Sequence, residues 1–237
     1  MARRFIIDKE LNDNEQFEII GEEAKHIFVL RHNVGELIQV NNKICEIVFI
    51  SKASIVCKVV KDAEVRGIPK VKITLYQAML KADKMEYVIQ KAVELGVTKI
   101  VPFISRNVVV KLDDKDKGKK IERFNKISLE ASKQCGRSDV VQVDNVYSFG
   151  DVVKCVSKYE KCIVAYENET IGLKSFLKEN NEIKEVAIII GAEGGFNENE
   201  VQELINAGCY SISLGDRILR AETASLNLIS ILMYELN

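Results

Sequence analysis

The stretch from Val186 to Leu226 constrains this chain most. An apolar run, Val186-Ala-Ile-Ile-Ile190, stops at Gly191-Ala-Glu-Gly-Gly-Phe196 and gives way to an acidic helical pattern, Asn197 to Leu204. A second short apolar run, Ser211-Ile-Ser-Leu214, stops at Gly215 and leads through Asp216-Arg-Ile-Leu-Arg-Ala-Glu-Thr-Ala224 into a further helix. Two strand–glycine–helix turns in succession predict two loops at the carboxyl edge of a parallel sheet, where open α/β sheets place their ligands. Asn197 followed three residues later by Glu200 also predicts a capping box.

The glycine loop has neither Walker A nor G-x-G-x-x-G spacing. It carries Glu193 inside the loop and Glu198, Glu200 and Glu203 in the helix behind it, so carboxylates occupy the helix end that would otherwise attract phosphate. A polyphosphate is disfavoured. The same acids suit a cofactor without phosphate, such as S-adenosylmethionine with its sulfonium cation, and glycines at 191, 194 and 195 allow close approach of the main chain. Turn chemistry and capping alone would account for the glycines equally well.

The 237 residues fit one large domain or two modest ones. Residues 3–60 read as short β-branched strands: Arg4–Ile7, Phe17–Ile20, Glu36–Val40, Ile44–Ile50 and Ser54–Val60, with a helical pattern from Glu22 to Arg31. Many short strands at close spacing predict a small barrel. Asp62 to Lys70, with Gly67 and Pro69, reads as a linker. Strand–helix alternation follows: strands at Val71–Tyr76, Lys99–Phe103 and Cys162–Tyr166, with helices near Lys84–Leu95, Lys119–Gln134 and Leu173–Leu177. Such alternation predicts a parallel sheet with helices on both faces. The last helix, Glu222 to Leu236, is apolar on more than one side, which predicts burial in its own domain or against a partner.

Net charge is −1, but it is segregated: zero over residues 1–70, +6 over 71–140 and −7 over 141–237. That allows a local basic face on an acidic protein. Six scattered cysteines without a C-x-x-C pair, and only two histidines, argue against a structural zinc site or a disulfide framework. No metal is expected. With no signal-peptide pattern and no apolar run of membrane-spanning length, the chain reads as soluble and cytoplasmic.

Taken together, Gly191-Ala-Glu-Gly-Gly-Phe196 and Leu214-Gly-Asp-Arg-Ile-Leu-Arg-Ala-Glu-Thr-Ala224 resemble the paired signature of the bacterial ribosomal RNA small subunit methyltransferase E family, uridine-N3 methyltransferases of the SPOUT superfamily. Lys81-Ala-Asp-Lys-Met-Glu86, Gln90-Lys-Ala-Val-Glu-Leu-Gly96, Glu130-Ala-Ser-Lys-Gln-Cys-Gly-Arg137, Arg4-Phe5 and His26-Ile-Phe-Val-Leu-Arg31 extend the resemblance over nearly the whole chain. Two positions depart from it: Ala192 stands where the family usually has proline, and Ala221 where it usually has threonine.

The resemblance implies a PUA-like RNA-binding β-barrel over residues 1–70 and a SPOUT methyltransferase domain over 71–237, an α/β domain closed by a trefoil knot. It also implies a homodimer, S-adenosylmethionine as cofactor, and a uridine of 16S rRNA, within the small ribosomal subunit, as substrate. Cofactor contacts are then expected from Ala165, Tyr166, Glu167, Gly191, Glu193, Gly194, Gly195, Leu214, Gly215, Ile218, Leu219 and Ser225. Arg220 is the expected donor to the uracil oxygens. Glu193 would act as a base or hold a loop amide, and Arg137 would reach phosphate or base. Arg217 is as readily a salt-bridge partner of Asp216 or Glu222. Arg3, Arg4, His26, Arg31, Lys81 and Lys84 are candidates for phosphate positioning, with His26 also readable as a partly buried barrel residue. A ribose 2′-O methyltransferase of the same superfamily would use the same cofactor loops; a non-catalytic RNA-binding protein would use the barrel alone.

Overall fold

The computed structural model describes residues 4–108 and 114–237, and the chain divides into two compact units. Arg3 therefore lies outside the described residues. The first unit comprises Met1–Ile68 with Lys133–Asp139, and the second Pro69–Ser132 with Val140–Asn237. This differs from the single cut at 70/71 that the linker composition predicts. Interactions far apart in sequence draw the second segment in. Arg4 donates to the carbonyl oxygens of Arg137 and Ser138, the Arg66 amide donates to Ser138 Oγ at 2.8 Å, and Lys133 pairs with Glu23.

In the first unit, β1 (Arg4–Phe5), β2 (Gln16–Ile20), β3 (Leu37–Val40), β4 (Lys43–Ile50) and β5 (Ser54–Asp62) form one sheet in the order β1-β3-β4-β5-β2. All pairs are antiparallel except β1 with β3. In β2, Phe17 and Ile19 alternate inward between exposed Gln16, Glu18 and Ile20, the two-residue period of a half-buried strand. Helix α1 (Gly21–Val29) adds Ala24 and Ile27 to the same core. Register shifts at Ile44/Cys45 and Ile47/Phe49 bend β4 against β5.

In the second unit, β6 (Lys72–Ala78), α2 (Lys84–Glu94), β7 (Lys99–Ile104), α3 (Asp114–Cys135), β8 (Gln142–Val143), β9 (Tyr147–Ser148) and α4 (Phe149–Val156) come first. They are followed by β10 (Lys161–Ala165), α5 (Leu173–Glu179), β11 (Glu185–Ile190), α6 (Glu198–Asn206), β12 (Tyr210–Ile212) and α7 (Ala221–Leu236). The sheet order is β12-β10-β11-β6-β7-β8, with β9 also on β7, and every pair is parallel. Past their first residues, β6 and β11 are buried throughout, the continuous apolar run of a strand covered on both faces. Met85, Val88, Ile89, Ala92 and Val93 of α2 fall on one face at helical spacing, and Gly96, at φ +101°, ends the helix. The core-facing residues of α7 are Ala221, Ala224, Ser225, Leu228, Ile229 and Leu232, while Tyr234 is exposed. Among the described residues no helix is long and apolar enough to cross a membrane.

Candidate active site

The carboxyl ends of three neighbouring strands supply the site. β10 ends at Ala165, and the next amide, Tyr166, donates to the Ile212 carbonyl at 3.0 Å, joining that end to β12. β11 ends at Ile190 and turns through Gly191–Phe196, where the Gly195 amide closes on the Ala192 carbonyl at 2.9 Å. β12 runs into Ser213 and Leu214, and Gly215, at φ +107°, donates its amide to Ser213 Oγ at 3.2 Å. Between these loops lies a cleft of about 420 Å³. Cavities of a few hundred Å³ are the usual size for small-molecule and cofactor sites.

Two glycines of the first loop sit where a side chain would crowd its neighbours. A Cβ on Gly195, which sits at φ +62°, would stand 2.7 Å from Glu167 Oε1. One on Gly191 would stand 3.1 Å from the Gly195 carbonyl carbon. The loop is held from several sides. Asn107 Nδ2 donates to the carbonyls of Gly194 and Gly195 at 2.9 and 3.3 Å. Phe196 stacks on Phe103 with ring centroids 6.3 Å apart. Buried Gln77 donates to the Gly191 carbonyl at 3.2 Å and accepts from Ser225 Oγ. The expected capping box is present: Asn197 Oδ1 accepts from the Glu200 amide at 2.9 Å, and Glu200 accepts from the Asn197 amide at 3.2 Å. Glu200 is 1% exposed and also accepts from the Arg106 amide at 2.8 Å.

Ala165, Tyr166, Glu167, Gly191, Glu193, Gly194, Gly195, Leu214, Gly215, Ile218 and Leu219 all line the cleft. Ser225 does not. It is fully buried, donates to Gln77 and to the Ala221 carbonyl, and so acts on the loop through Gln77. Gln77 was missed by sequence reasoning, although one amide inside the apolar run of β6 was a visible clue. Ala192, Ala221 and Arg217 also line the cleft. Ile218 is 86% exposed at the cleft.

Electrostatically the lining is acidic: Glu167, Glu169, Glu193 and Asp216 against Arg217. The Thr170 amide holds the Glu169 carboxyl below its ordinary pKa. For Glu193, burial raises the pKa, but its own amide, the Lys81 amide and Lys84 together outweigh this, so the carboxyl also titrates below its ordinary value. Glu193 Oε1 accepts from the Lys81 amide at 3.1 Å and lies 3.4 Å from Lys84 Nζ. Of its two expected roles, the geometry favours holding a loop amide; a carboxylate made more acidic is a weaker base.

Arg220 is exposed at the N-cap position of α7 and is not among the cleft-lining residues. A cation there opposes the helix dipole. Glu222 turns to Lys84, 3.7 Å away, instead of pairing with Arg217 or Arg220. Arg137 belongs to the first unit, is 2% exposed, and its guanidinium is held by Asp139 through bonds of 2.7 and 2.9 Å. Arg137 is not among the cleft-lining residues. Arg4 is committed to carbonyl oxygens, and burial pushes its pKa down with Asp139 opposing. His26 is exposed, not partly buried, with its ring edge against Phe5 at 5.6 Å. Arg31 is exposed at φ +57°, and the Lys81 side chain is exposed.

An open parallel sheet with a cleft of this kind defines a small-molecule-binding α/β domain, and the model of the RNA methyltransferase domain matches residues 68–233. A ribosomal RNA small subunit methyltransferase E of Bacillus subtilis is 35% identical, with 99% of this chain and 97% of the relative covered. Among solved structures, a ribosomal RNA small subunit methyltransferase E from Neisseria gonorrhoeae bound to S-adenosylmethionine superposes with a TM-score of 0.91 at 26% identity, covering 100% of this chain and 98% of the other. A methyltransferase from Legionella pneumophila, in complex with the same cofactor, gives 0.89 at 29% identity, covering 99% and 98%. The chain belongs to the ribosomal RNA small subunit methyltransferase E family.

Proposed function

We infer that this protein transfers a methyl group from S-adenosylmethionine to N3 of a uridine in 16S ribosomal RNA. The observation that carries the reading is the acidic, backbone-lined cleft where the two glycine loops meet. Its bare main chain and four carboxylates suit a cationic cofactor without phosphate and repel a nucleotide polyphosphate. When bound, that cofactor supplies an electrophilic methyl group on a sulfonium.

The chain's own residues do the rest. Glycines 191, 194 and 195 would let the main chain approach the cofactor, Ile218 and Leu219 would hold its adenine, and Glu193 braces the loop through the Lys81 amide. Uridine N3 keeps its proton at neutral pH, so the site must favour the deprotonated base. Arg220, exposed and without an ion pair among the described residues, donates to the uracil oxygens onto which that charge spreads. The proton then leaves to water, because Glu193 is both engaged and acidified. Arg31, His26 and the Lys81 side chain are exposed and would position RNA phosphates.

The first unit is read as a PUA-like barrel, supported by its five short strands and bulged β4. Insertion of β11 between β6 and β10, both earlier in the chain, supports a knotted path for the second. A cytoplasmic homodimer, whose partner subunit completes the site, and a substrate within the small ribosomal subunit complete the proposal.

The test is methyl transfer from labelled S-adenosylmethionine to unmodified small subunits and to naked rRNA, followed by nucleoside analysis. The expected product is 3-methyluridine. A 2′-O-methylated nucleoside, or no transfer to either substrate while the cofactor binds, would overturn the reading.

A further inference from the structure

The loop joining β6 to α2 faces both the first glycine loop and the start of α7. In it Ala82 has φ +48°, a left-handed conformation that a residue with a Cβ adopts only where its surroundings impose it. Its neighbour Lys81 donates its amide to Glu193 Oε1 at 3.1 Å. Two residues past Ala82, Lys84 Nζ lies 3.4 Å from Glu193 Oε1 and 3.7 Å from Glu222 Oε2. That Glu222 oxygen is buried and accepts no hydrogen bond among the described residues, and the ammonium is its electrostatic neighbour. Two carboxylates, one from the glycine loop and one from the first turn of α7, thus converge on one amine, and without it they would repel. Glu222 stands in the first turn of α7, two residues beyond Arg220.

We propose that Lys84 is a positioning residue, whose ammonium ties the Gly191–Phe196 loop to the first turn of α7 and so sets Arg220 relative to the cofactor cleft. The inference rests on the reading of Arg220 as the group that meets the uracil oxygens. It displaces the assignment of Lys84 to an RNA phosphate. A lysine shared between Glu193 and Glu222 has its charge already engaged, whereas a phosphate contact needs a cation free to release counterions.

The two roles separate in steady-state kinetics of the full-length protein on an RNA substrate that the wild type methylates, with RNA and salt varied. For Lys84→Met, kcat should fall between tenfold and about 100-fold, the order expected when a reacting group is misplaced by about 1 Å. The KM values for RNA and cofactor should stay within about threefold, and the salt dependence of RNA binding should keep its slope. Lys84→Arg, which retains the cation, should recover most of kcat. Glu222→Gln, which releases one end of the tie, should also lower kcat at unchanged KM, and it keeps the idea testable if Lys84→Met does not fold. An unchanged kcat with a raised RNA KM and a salt slope shallower by about one would mean a lost phosphate contact and would overturn the proposal. Equal impairment of the Met and Arg variants would do the same. A wild type that binds cofactor but transfers no methyl group refutes the functional reading instead, so the two failures are distinguishable.

Discussion

Gly195→Ala tests whether the first glycine loop is built around a ligand or is only a turn. The native φ of +62° lies in the left-handed region, where a residue with a Cβ costs about 1–2 kcal/mol. The new methyl would also stand 2.7 Å from Glu167 Oε1, and ordinary contact begins at 3.4 Å, so the carboxylate has to swing aside. Because that obstacle is the far end of a flexible side chain, the fold absorbs the clash and the stability loss stays near the backbone cost. A loss of about 1.5 kcal/mol corresponds to a fall in Tm of roughly 3–6 °C for a domain of this size. The larger effect falls on the ligand. Glu167 lines the cleft, and a hydrogen bond to a charged group contributes about 1.5–3 kcal/mol, so displacing it should weaken S-adenosylmethionine binding about tenfold or more. Calorimetric titration and thermal unfolding of Gly195→Ala, Glu167→Ala and the double variant form a cycle. If the mechanism is right, adding Gly195→Ala to Glu167→Ala lowers Tm again but leaves cofactor affinity unchanged. An equal affinity loss in both backgrounds would refute the role given to Glu167.

Three shorter predictions follow from the same geometry. Arg220→Ala should lower turnover at least tenfold with cofactor affinity nearly intact; weak cofactor binding with normal turnover at saturation would remove Arg220 from the uracil. Glu200→Ala leaves the part-buried amides of Asn197 and Arg106 without their acceptor, and at about 0.5–1.5 kcal/mol for each hydrogen bond lost it should destabilise the second unit by about 1–3 kcal/mol in denaturant unfolding. The folded-state pKa of Glu193 lies below its ordinary value of 4.5, so its stabilising contribution is complete at neutral pH and disappears as pH falls through 4.5 toward the folded value. Wild type should therefore lose more stability than Glu193→Gln over that acidic range, and parallel pH profiles would show that the carboxylate is not engaged.

Local chemistry was legible in the sequence wherever it determined local structure. The apolar runs ending at glycine marked β11 and β12, and Asn197 with Glu200 marked the capping box, because each depends on neighbours within a few residues. The segment from Gln142 to Val156 escaped notice for the same reason. Two-residue strands show no period, although Ser148 and Asp151, whose amide the serine caps at 3.2 Å, were a readable start for α4. What could not be read were bonds closing long loops. Ser225 directly follows the family signature, which drew it toward the cofactor, yet its hydroxyl meets Gln77, 148 residues away in sequence. Arg137 carries an equally suggestive match and is turned to Asp139, while its carbonyl receives Arg4 from the other end of the chain. Lys84 read as a candidate for an RNA phosphate, and only the fold shows it flanked by Glu193 of the glycine loop and Glu222 of the first turn of α7. A motif therefore identifies which residues gather at a site more securely than it tells which of them touch the ligand. In this chain Gln77, Ser225 and Lys84 act on the loops, and the loops leave glycine backbone and acidic side chains facing the cleft.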